Sequence, residues 1–186
     1  GDKDPSSVVA LDLNGDGKPD LATANYKTNS VNVLLNQGDG TFAARIAYPT
    51  GVGPVSIAAL DLNGDGKADL ATANRDGNTV SVLKNKGDGT FAANVAYPVG
   101  PKPASVAALD LNGDILPDLA IANIIDGTVS VLQNQGDGTF APQVAYPTGL
   151  IPHSVAGLDL NGDGRPDLVT ANEDDNTVTV LLNTCP

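Results

Sequence analysis

Residues 12–21 read Asp-Leu-Asn-Gly-Asp-Gly-Lys-Pro-Asp-Leu, and nearly the same ten residues return from Asp61, Asp110 and Asp159, 49 residues apart each time. The register extends far beyond the decapeptide. Pro5, Pro54, Pro103 and Pro152 align, as do Ser7, Ser56, Ser105 and Ser154, and Asn25, Asn74, Asn123 and Asn172. Between the copies, Gly-Asp-Gly-Thr-Phe recurs at 38–42, 87–91 and 136–140, and Ala-Tyr-Pro at 47–49, 96–98 and 145–147. A fixed period of this length marks a repeat architecture, in which each copy is one supersecondary unit.

Each unit reads as four short strands. In the first unit they are Ser7–Leu13, with small residues at its centre, then Asp20–Asn25, then Val31–Asn36, and finally Phe42–Tyr48 with strict alternation. Period-2 alternation and β-branched residues favour strand, and no stretch carries a capped 3.6-residue period. The class is all-β. Four strands in a period in the forties predict the blades of a β-propeller. The small residues Ala58-Ala59, Ala107-Ala108 and Ala156-Gly157 suit innermost strands, where blades converge. One repeat domain is expected over 1–186, with blades at about 5–53, 54–102, 103–151 and 152–186. The last copy stops just after its third strand at Asn183, so its outer strand is missing. Either four blades close with fifteen strands or they belong to a larger propeller, and open blade edges would favour self-association.

Composition narrows the chemistry. Asp and Glu number 22 against 10 Lys and Arg, a net charge of −12, with one His and one Cys. That balance repels phosphate and argues against nucleic acid. No apolar run approaches a membrane span, so membrane insertion is not expected. The chain has no Met and shows no signal peptide, which suits a mature or excised chain. Cys185 has no cysteine to pair with, and its role is open.

The acidic residues cluster. Twelve of the 22 lie in the four repeated loops. Counting from Asp12, positions 1, 3, 5 and 9 are Asp12, Asn14, Asp16 and Asp20, with the Lys18 carbonyl at position 7. Gly17 at position 6 permits the positive φ that wraps a chain around an ion. Six to eight oxygen donors suit Ca²⁺, while Mg²⁺ keeps several waters and Zn²⁺ or copper would want His or Cys. Asn-Gly and Asp-Gly also make hairpin turns, but a turn does not need three aspartates within nine residues. An EF-hand loop needs an acidic residue at position 12, where this chain has Thr23, Thr72, Ile121 and Thr170.

On these residues the chain resembles the FG-GAP/VCBS repeats of integrin-α-type β-propellers, over nearly its whole length. The resemblance implies a Ca²⁺-binding loop between strands one and two of each blade. It assigns Asp12, Asn14, Asp16, Lys18 and Asp20 as ligands in the first unit, and Asp61, Asn63, Asp65, Lys67 and Asp69 in the second. In the fourth it assigns Asp159, Asn161, Asp163, Arg165 and Asp167. The third unit offers Asp110, Asn112, Asp114, Leu116 and Asp118, but Ile115 replaces the glycine. A β-branched residue is strained at positive φ, so this loop is expected to bind weakest or to change geometry. Three to four Ca²⁺ ions are expected. Such repeats abound in secreted bacterial proteins, and extracellular Ca²⁺ modules work at a Kd of about 10⁻⁴–10⁻³ M, so a secreted or cell-surface location follows.

No catalytic constellation stands out. His153 has no repeated partner and reads as a loop residue, and the recurring serines lack a Ser-His-Asp setting. The expected role is a non-catalytic, calcium-stiffened scaffold for a protein or a cell-surface glycan. Carbohydrate binding, or an appendage of a secreted enzyme, is the alternative. Tyr26 is the one aromatic outside the repeat pattern, in a loop that differs between units, and is the candidate for sugar stacking.

Overall fold

The computed structural model describes residues 4–184; Cys185 lies outside them. Among the described residues, fifteen strands form four antiparallel sheets. The first holds β1 (Pro5–Leu11), β2 (Asp20–Asn25), β3 (Ser30–Leu34) and β4 (Ile46–Pro49), hydrogen-bonded in sequence order. The second repeats this with β5 (Pro54–Leu60), β6 (Asp69–Asn74), β7 (Thr79–Leu83) and β8 (Val95–Pro98). The third has β9 (Pro103–Leu109), β10 (Asp118–Asn123), β11 (Thr128–Leu132) and β12 (Val144–Pro147). The fourth is three-stranded, with β13 (Pro152–Leu158), β14 (Asp167–Asn172) and β15 (Thr177–Leu181).

The second strand lies where the sequence places it. The first begins and ends two residues earlier than expected, at Pro5 and Leu11, because Asp12 and Leu13 turn into the loop. The fourth is shorter than its alternation suggests. Phe42 makes an isolated bridge to Asn36, and regular pairing resumes only at Ile46, opposite Val33. His153 is a residue of β13, not of a loop, and its Nε2 lies 2.6 Å from Glu173.

The first strands of successive sheets lie side by side, β1 against β5, β5 against β9 and β9 against β13, with no comparable contact between β13 and β1. Small residues make this approach possible. A Cβ built on Gly157 would fall 1.9 Å from Leu109 Cδ1, so that side chain would have to move. Serine hydroxyls stitch the same seam: Val106 N donates to Ser56 Oγ at 3.2 Å and Val155 N to Ser105 Oγ at 3.3 Å.

The core is not central but lies in the seams. Ala22, Ala24, Val31 and Val33 of the first sheet pack on Ile57, Leu70, Leu83 and Phe91 of the second. The second and third meet through Leu62, Val80, Val82, Leu119, Leu132 and Phe140. The third and fourth meet through Ala122, Val129, Val155 and Leu168. Burying one face of each sheet against the next is how a repeat array acquires a core that one unit lacks. The terminal faces are left to solvent: Val8 is 59% exposed at one end and Val178 65% at the other.

Candidate metal centre

Each acidic loop joins the first and second strands of its sheet. Asp12 is its hub. Asp12 Oδ1 accepts the Gly15 N–H at 2.7 Å, and Oδ2 accepts that of Gly17 at 2.7 Å. Asn14 Oδ1 accepts from Asp16 N, and Asp16 Oδ1 from Lys18 N, each at 2.9 Å. The other loops repeat the scheme. Gly64 and Gly66 donate to Asp61, Gly113 and Ile115 to Asp110, and Gly162 and Gly164 to Asp159. These N–H groups, that of Gly17 foremost, hold the Asp12 carboxyl below its ordinary range, against the opposing effect of burial.

The third loop keeps this geometry in spite of its substitution. Ile115 sits at φ 69°, beside 81° for Gly17, 80° for Gly66 and 84° for Gly164. Its N–H reaches Asp110 Oδ2 at 2.8 Å while its side chain stands in solvent. A β-branched residue is therefore held in the left-handed region, where strain is expected. Of the two outcomes expected for this loop, a changed geometry is not what the backbone shows.

The aspartates at position 9 are built differently. Asp20, Asp69, Asp118 and Asp167 are fully buried at the starts of the second strands. Asp69 Oδ2 accepts the Leu62 N–H at 3.1 Å and Oδ1 the Asn85 N–H at 2.7 Å, which ties the loop to the end of the third strand. Asp20 does the same with Leu13 and Asn36, Asp118 with Leu111 and Asn134, and Asp167 with Leu160 and Asn183. Burial pushes the Asp69 carboxyl up to about 6, against its two N–H donors and with the charges of Asp65 and Asp61 adding to the rise. Asp118 is raised for the same reasons.

Sequence reasoning missed the asparagines paired with these carboxylates. Asn85 Nδ2 donates to the Leu13 carbonyl of the preceding sheet at 2.9 Å and to Ala68 O at 3.0 Å. Asn134 reaches Leu62 O, and Asn183 reaches Leu111 O, in the same way. The signal was a third asparagine column at 36, 85, 134 and 183, beside those that begin at Asn14 and Asn25, which strand patterning alone treats as a strand end.

Position 7 contributes a side chain as well as its carbonyl. Lys18 Nζ lies 3.2 Å from Asp16 Oδ2, and Arg165 Nη2 lies 2.9 Å from Asp163 Oδ2. Leu116 supplies no charge there; Asn112 Nδ2 donates to Asp114 Oδ2 at 2.9 Å, as Asn161 does to Asp163 in the fourth loop beside Arg165.

Among the described residues, no three Asp, Glu, His or Cys side chains gather as one preformed metal cluster. The hydrogen bonds give the reason. The carboxylates at positions 1 and 5 turn to the loop's own N–H groups, and that at position 9 turns to the sheet. The donor set nevertheless fits a hard cation: every candidate is an oxygen, and position 9 feels its like-charged neighbours.

Tyr26, the candidate for sugar stacking, is half-buried, and its hydroxyl donates to Asp76 Oδ2 at 2.6 Å. Lys102 Nζ takes the other oxygen of Asp76 at 2.7 Å. Tyr26 belongs to the first unit, Asp76 to the second, and Lys102 is the last residue before β9, so this chain of contacts ties the sheets together along the rim opposite the acidic loops.

The description "FG-GAP-like repeat" is the family model that matches this chain, over residues 12–72, 61–121 and 110–170, each match running from one acidic loop into the next unit. No curated protein matches it by sequence. Among solved structures, BBS1N in complex with ARL6DN is similar at 14% identity and a TM-score of 0.66, over 97% of this chain and 57% of that one. A functionally unknown protein from Desulfotomaculum acetoxidans is similar at 19% identity and 0.63, over 98% and 56%. A lectin from Agrocybe aegerita, described as recognising non-reducing terminal N-acetylglucosamine, is similar at 23% and 0.58, over 95% and 52%. The chain thus spans a little over half the length of these three. At such identities the likeness is one of fold.

Proposed function

Because this chain belongs to the FG-GAP-like repeat family, we propose that its blades form a calcium-binding, non-catalytic scaffold that presents a rigid surface to a protein or cell-surface glycan outside the cell. The observation that carries the reading is the fourfold recurrence of one loop. Each copy carries aspartates at positions 1, 5 and 9 of its sequence, and none has a His or Cys beside them. In the first loop Asp12, Asn14, Asp16, Asp20 and the Lys18 carbonyl would hold the ion, and in the others their counterparts 49 residues on. Bound Ca²⁺ would supply positive charge where the carboxylates otherwise repel one another. It would also cross-link the loop to the buried position-9 aspartate, and through that aspartate to the end of the third strand.

The energetic scale supports a structural role. At a free Ca²⁺ concentration of 100 Kd, linkage contributes roughly 2.7 kcal/mol per site. That is large beside the roughly 5–15 kcal/mol stability of a typical domain. A lectin-like use has less behind it, since the Tyr26 hydroxyl is committed to Asp76. Self-association through the terminal sheet faces fits the exposed Val8 and Val178.

The test is a thermal melt in about 1 mM Ca²⁺ against excess EDTA, with Mg²⁺ as control and calorimetry for stoichiometry. A Ca²⁺-specific rise with three strong sites and a weaker fourth is expected. An unchanged melting temperature would leave the loops as hydrogen-bonded turns and remove the calcium reading.

A further inference from the structure

Leu13 stands between two candidate ligands of the first loop, Asp12 and Asn14, and it is held from both sides. Its N–H donates to Asp20 Oδ2 at 3.0 Å, and its carbonyl accepts Asn85 Nδ2 at 2.9 Å. The backbone N–H of Asn85 in turn donates to Asp69 Oδ1 at 2.7 Å. Asp20 belongs to the donor set of the first loop and Asp69 to that of the second, so three hydrogen bonds join them. The line continues from Asp69 through Leu62 and Asn134 to Asp118, at 3.1, 2.7 and 2.8 Å. It runs on through Leu111 and Asn183 to Asp167, at 3.1, 2.6 and 2.8 Å. Between Asp20 and Asp118 every residue of the line is buried, where hydrogen bonds in series polarise one another.

A second contact joins the same loops. A Cβ built on Gly89 would lie 3.4 Å from Asn14 Cβ, and one on Gly138 would lie 3.1 Å from Asn63 Cβ. The position-3 asparagine therefore rests on the Gly-Asp-Gly turn of the following unit. The other end of that turn is covered by its own unit's position-7 side chain. Lys67 Cε would lie 2.6 Å from a Cβ on Gly87, and Leu116 Cδ1 3.5 Å from one on Gly136. In the metal-free loops the carboxylates at positions 1 and 5 are turned to backbone N–H groups, with no cluster formed. Gathering them about a cation therefore requires a second arrangement of the loop, and the backbone on either side of Leu13 must take part in it.

We propose that Asn85 and Asn134 are positioning residues through which each acidic loop raises the calcium affinity of its neighbour, an inference that rests on the calcium reading above. When Asp69 is fixed among the gathered donors of the second loop, it fixes the backbone of Asn85. The Asn85 side chain then fixes the Leu13 carbonyl, so the stretch between Asp12 and Asn14 is ordered before its own ion arrives. A site that is already ordered loses less conformational entropy on binding, which gives positive cooperativity. The effect is reciprocal, since linkage requires each loop to change the other by the same factor. Charge alone predicts the opposite sign, because an empty second loop spares the first the repulsion of a neighbouring dication.

The experiment is a Ca²⁺ titration of the whole chain followed by NMR at four amides. Those of Gly17, Gly66, Ile115 and Gly164 each donate to a position-1 carboxylate, so they report the loops one by one. Asp65→Ala empties the second loop; Asp65 is exposed and lies outside the line of buried hydrogen bonds, so the variant folds. The Gly66 response should vanish, and the Ca²⁺ midpoint at Gly17 should rise about fivefold. Asp16→Ala should raise the midpoint at Gly66 by the same factor. In the Asn85→Ala background the Gly17 midpoint should already be high and indifferent to Asp65→Ala, whereas in the Asn134→Ala background the first loop should still respond to the second. A Gly17 midpoint that ignores Asp65→Ala in the otherwise intact chain would overturn the inference and leave calcium binding standing. So would a response that survives Asn85→Ala, or one lost equally in Asn85→Ala and Asn134→Ala, which would mark a general loosening of the fold. No calcium response at any of the four amides of the parent chain would remove the calcium reading and this inference with it.

Discussion

Asn85 Nδ2 donates to the Leu13 carbonyl at 2.9 Å, across the seam between the first two sheets and over 72 residues of sequence. The same asparagine presents its backbone N–H to Asp69 Oδ1, so one residue closes its own sheet and latches the one before it. Both contacts are buried, and a buried acceptor left without a donor costs roughly 1–3 kcal/mol.

Asn85→Ala is therefore expected to destabilise the protein by about 1–3 kcal/mol, and Asn134→Ala by a similar amount. Chemical denaturation in EDTA checks this without any contribution from metal. A loss that appeared only in Ca²⁺ would show that the latch acts through the loop rather than through the seam.

Ile115→Gly should stabilise the protein. Relieving a β-branched residue from the left-handed region is worth on the order of 1 kcal/mol, and the exposed side chain that is lost packs against little. A thermal melt in EDTA reads the intrinsic gain. Calcium titration should then show the weakest of the four sites moving toward the other three.

The pH dependence of the metal-free protein follows from Asp69 and Asp118. Burial holds the folded Asp69 carboxyl at about 6, above its ordinary 3.8, so the folded chain binds this proton more tightly than the unfolded chain does. The stability it contributes is fully present below about 3.8 and is lost as pH rises through about 6. Asp118 acts in the same direction. The carboxyls held low by backbone N–H groups or cationic side chains, such as Asp12, Asp16 and Asp163, change protonation only below the ordinary carboxylate range. Between these limits Asp69 and Asp118 decide the slope. In EDTA the protein should be more stable near pH 4.5 than near pH 7.5, by on the order of 2 kcal/mol. A stability that rose over this interval would mean that water reaches these carboxyls.

Asn32 is 1% exposed, and among the described residues its Nδ2 has no hydrogen-bond partner. The equivalent positions carry Ser81, Ser130 and Thr179, whose hydroxyls accept the N–H of Gly51, Gly100 and Gly149. Asn32→Ser removes the unsatisfied amide and should raise stability by about 1 kcal/mol, visible as a few degrees in a melt. A drop would mean that the amide's bulk fills space a serine leaves open.

The sequence makes the sheets legible because their period is long, invariant and carried by residues with strong local meaning. Asp-Gly turns, alternation and small first-strand residues all specify the same four-strand unit, and the β2 boundaries fall where patterning puts them. The β4 boundary does not, because alternation from Phe42 onward records which way side chains point but not whether the backbone is paired; Phe42 bridges and Ile46 pairs. The acidic loops are equally plain as clusters, yet spacing cannot say that position 9 faces into the sheet while position 1 faces its own backbone. That division depends on Asn36 and its counterparts, which lie in another part of the unit and become partners only once three strands are assembled. Tyr26 is the clearest case of a residue whose oddness in the pattern reflects a tie between units, since its acceptor lies 50 residues away.

The latch of Asn85 on Leu13 also gives the array a direction in time. Each asparagine sits at the end of a third strand and reaches back to a unit already synthesised. The polar latch of a seam can therefore close once that strand has left the ribosome, with the phenylalanine that follows it, Phe91 or Phe140, still to seat. Such a chain can fold vectorially, unit upon unit. A duplication or deletion of one 49-residue unit would present each new seam with a partner of the same repeat type. Length is thus the property that evolution can alter in this architecture while leaving each local contact as it was.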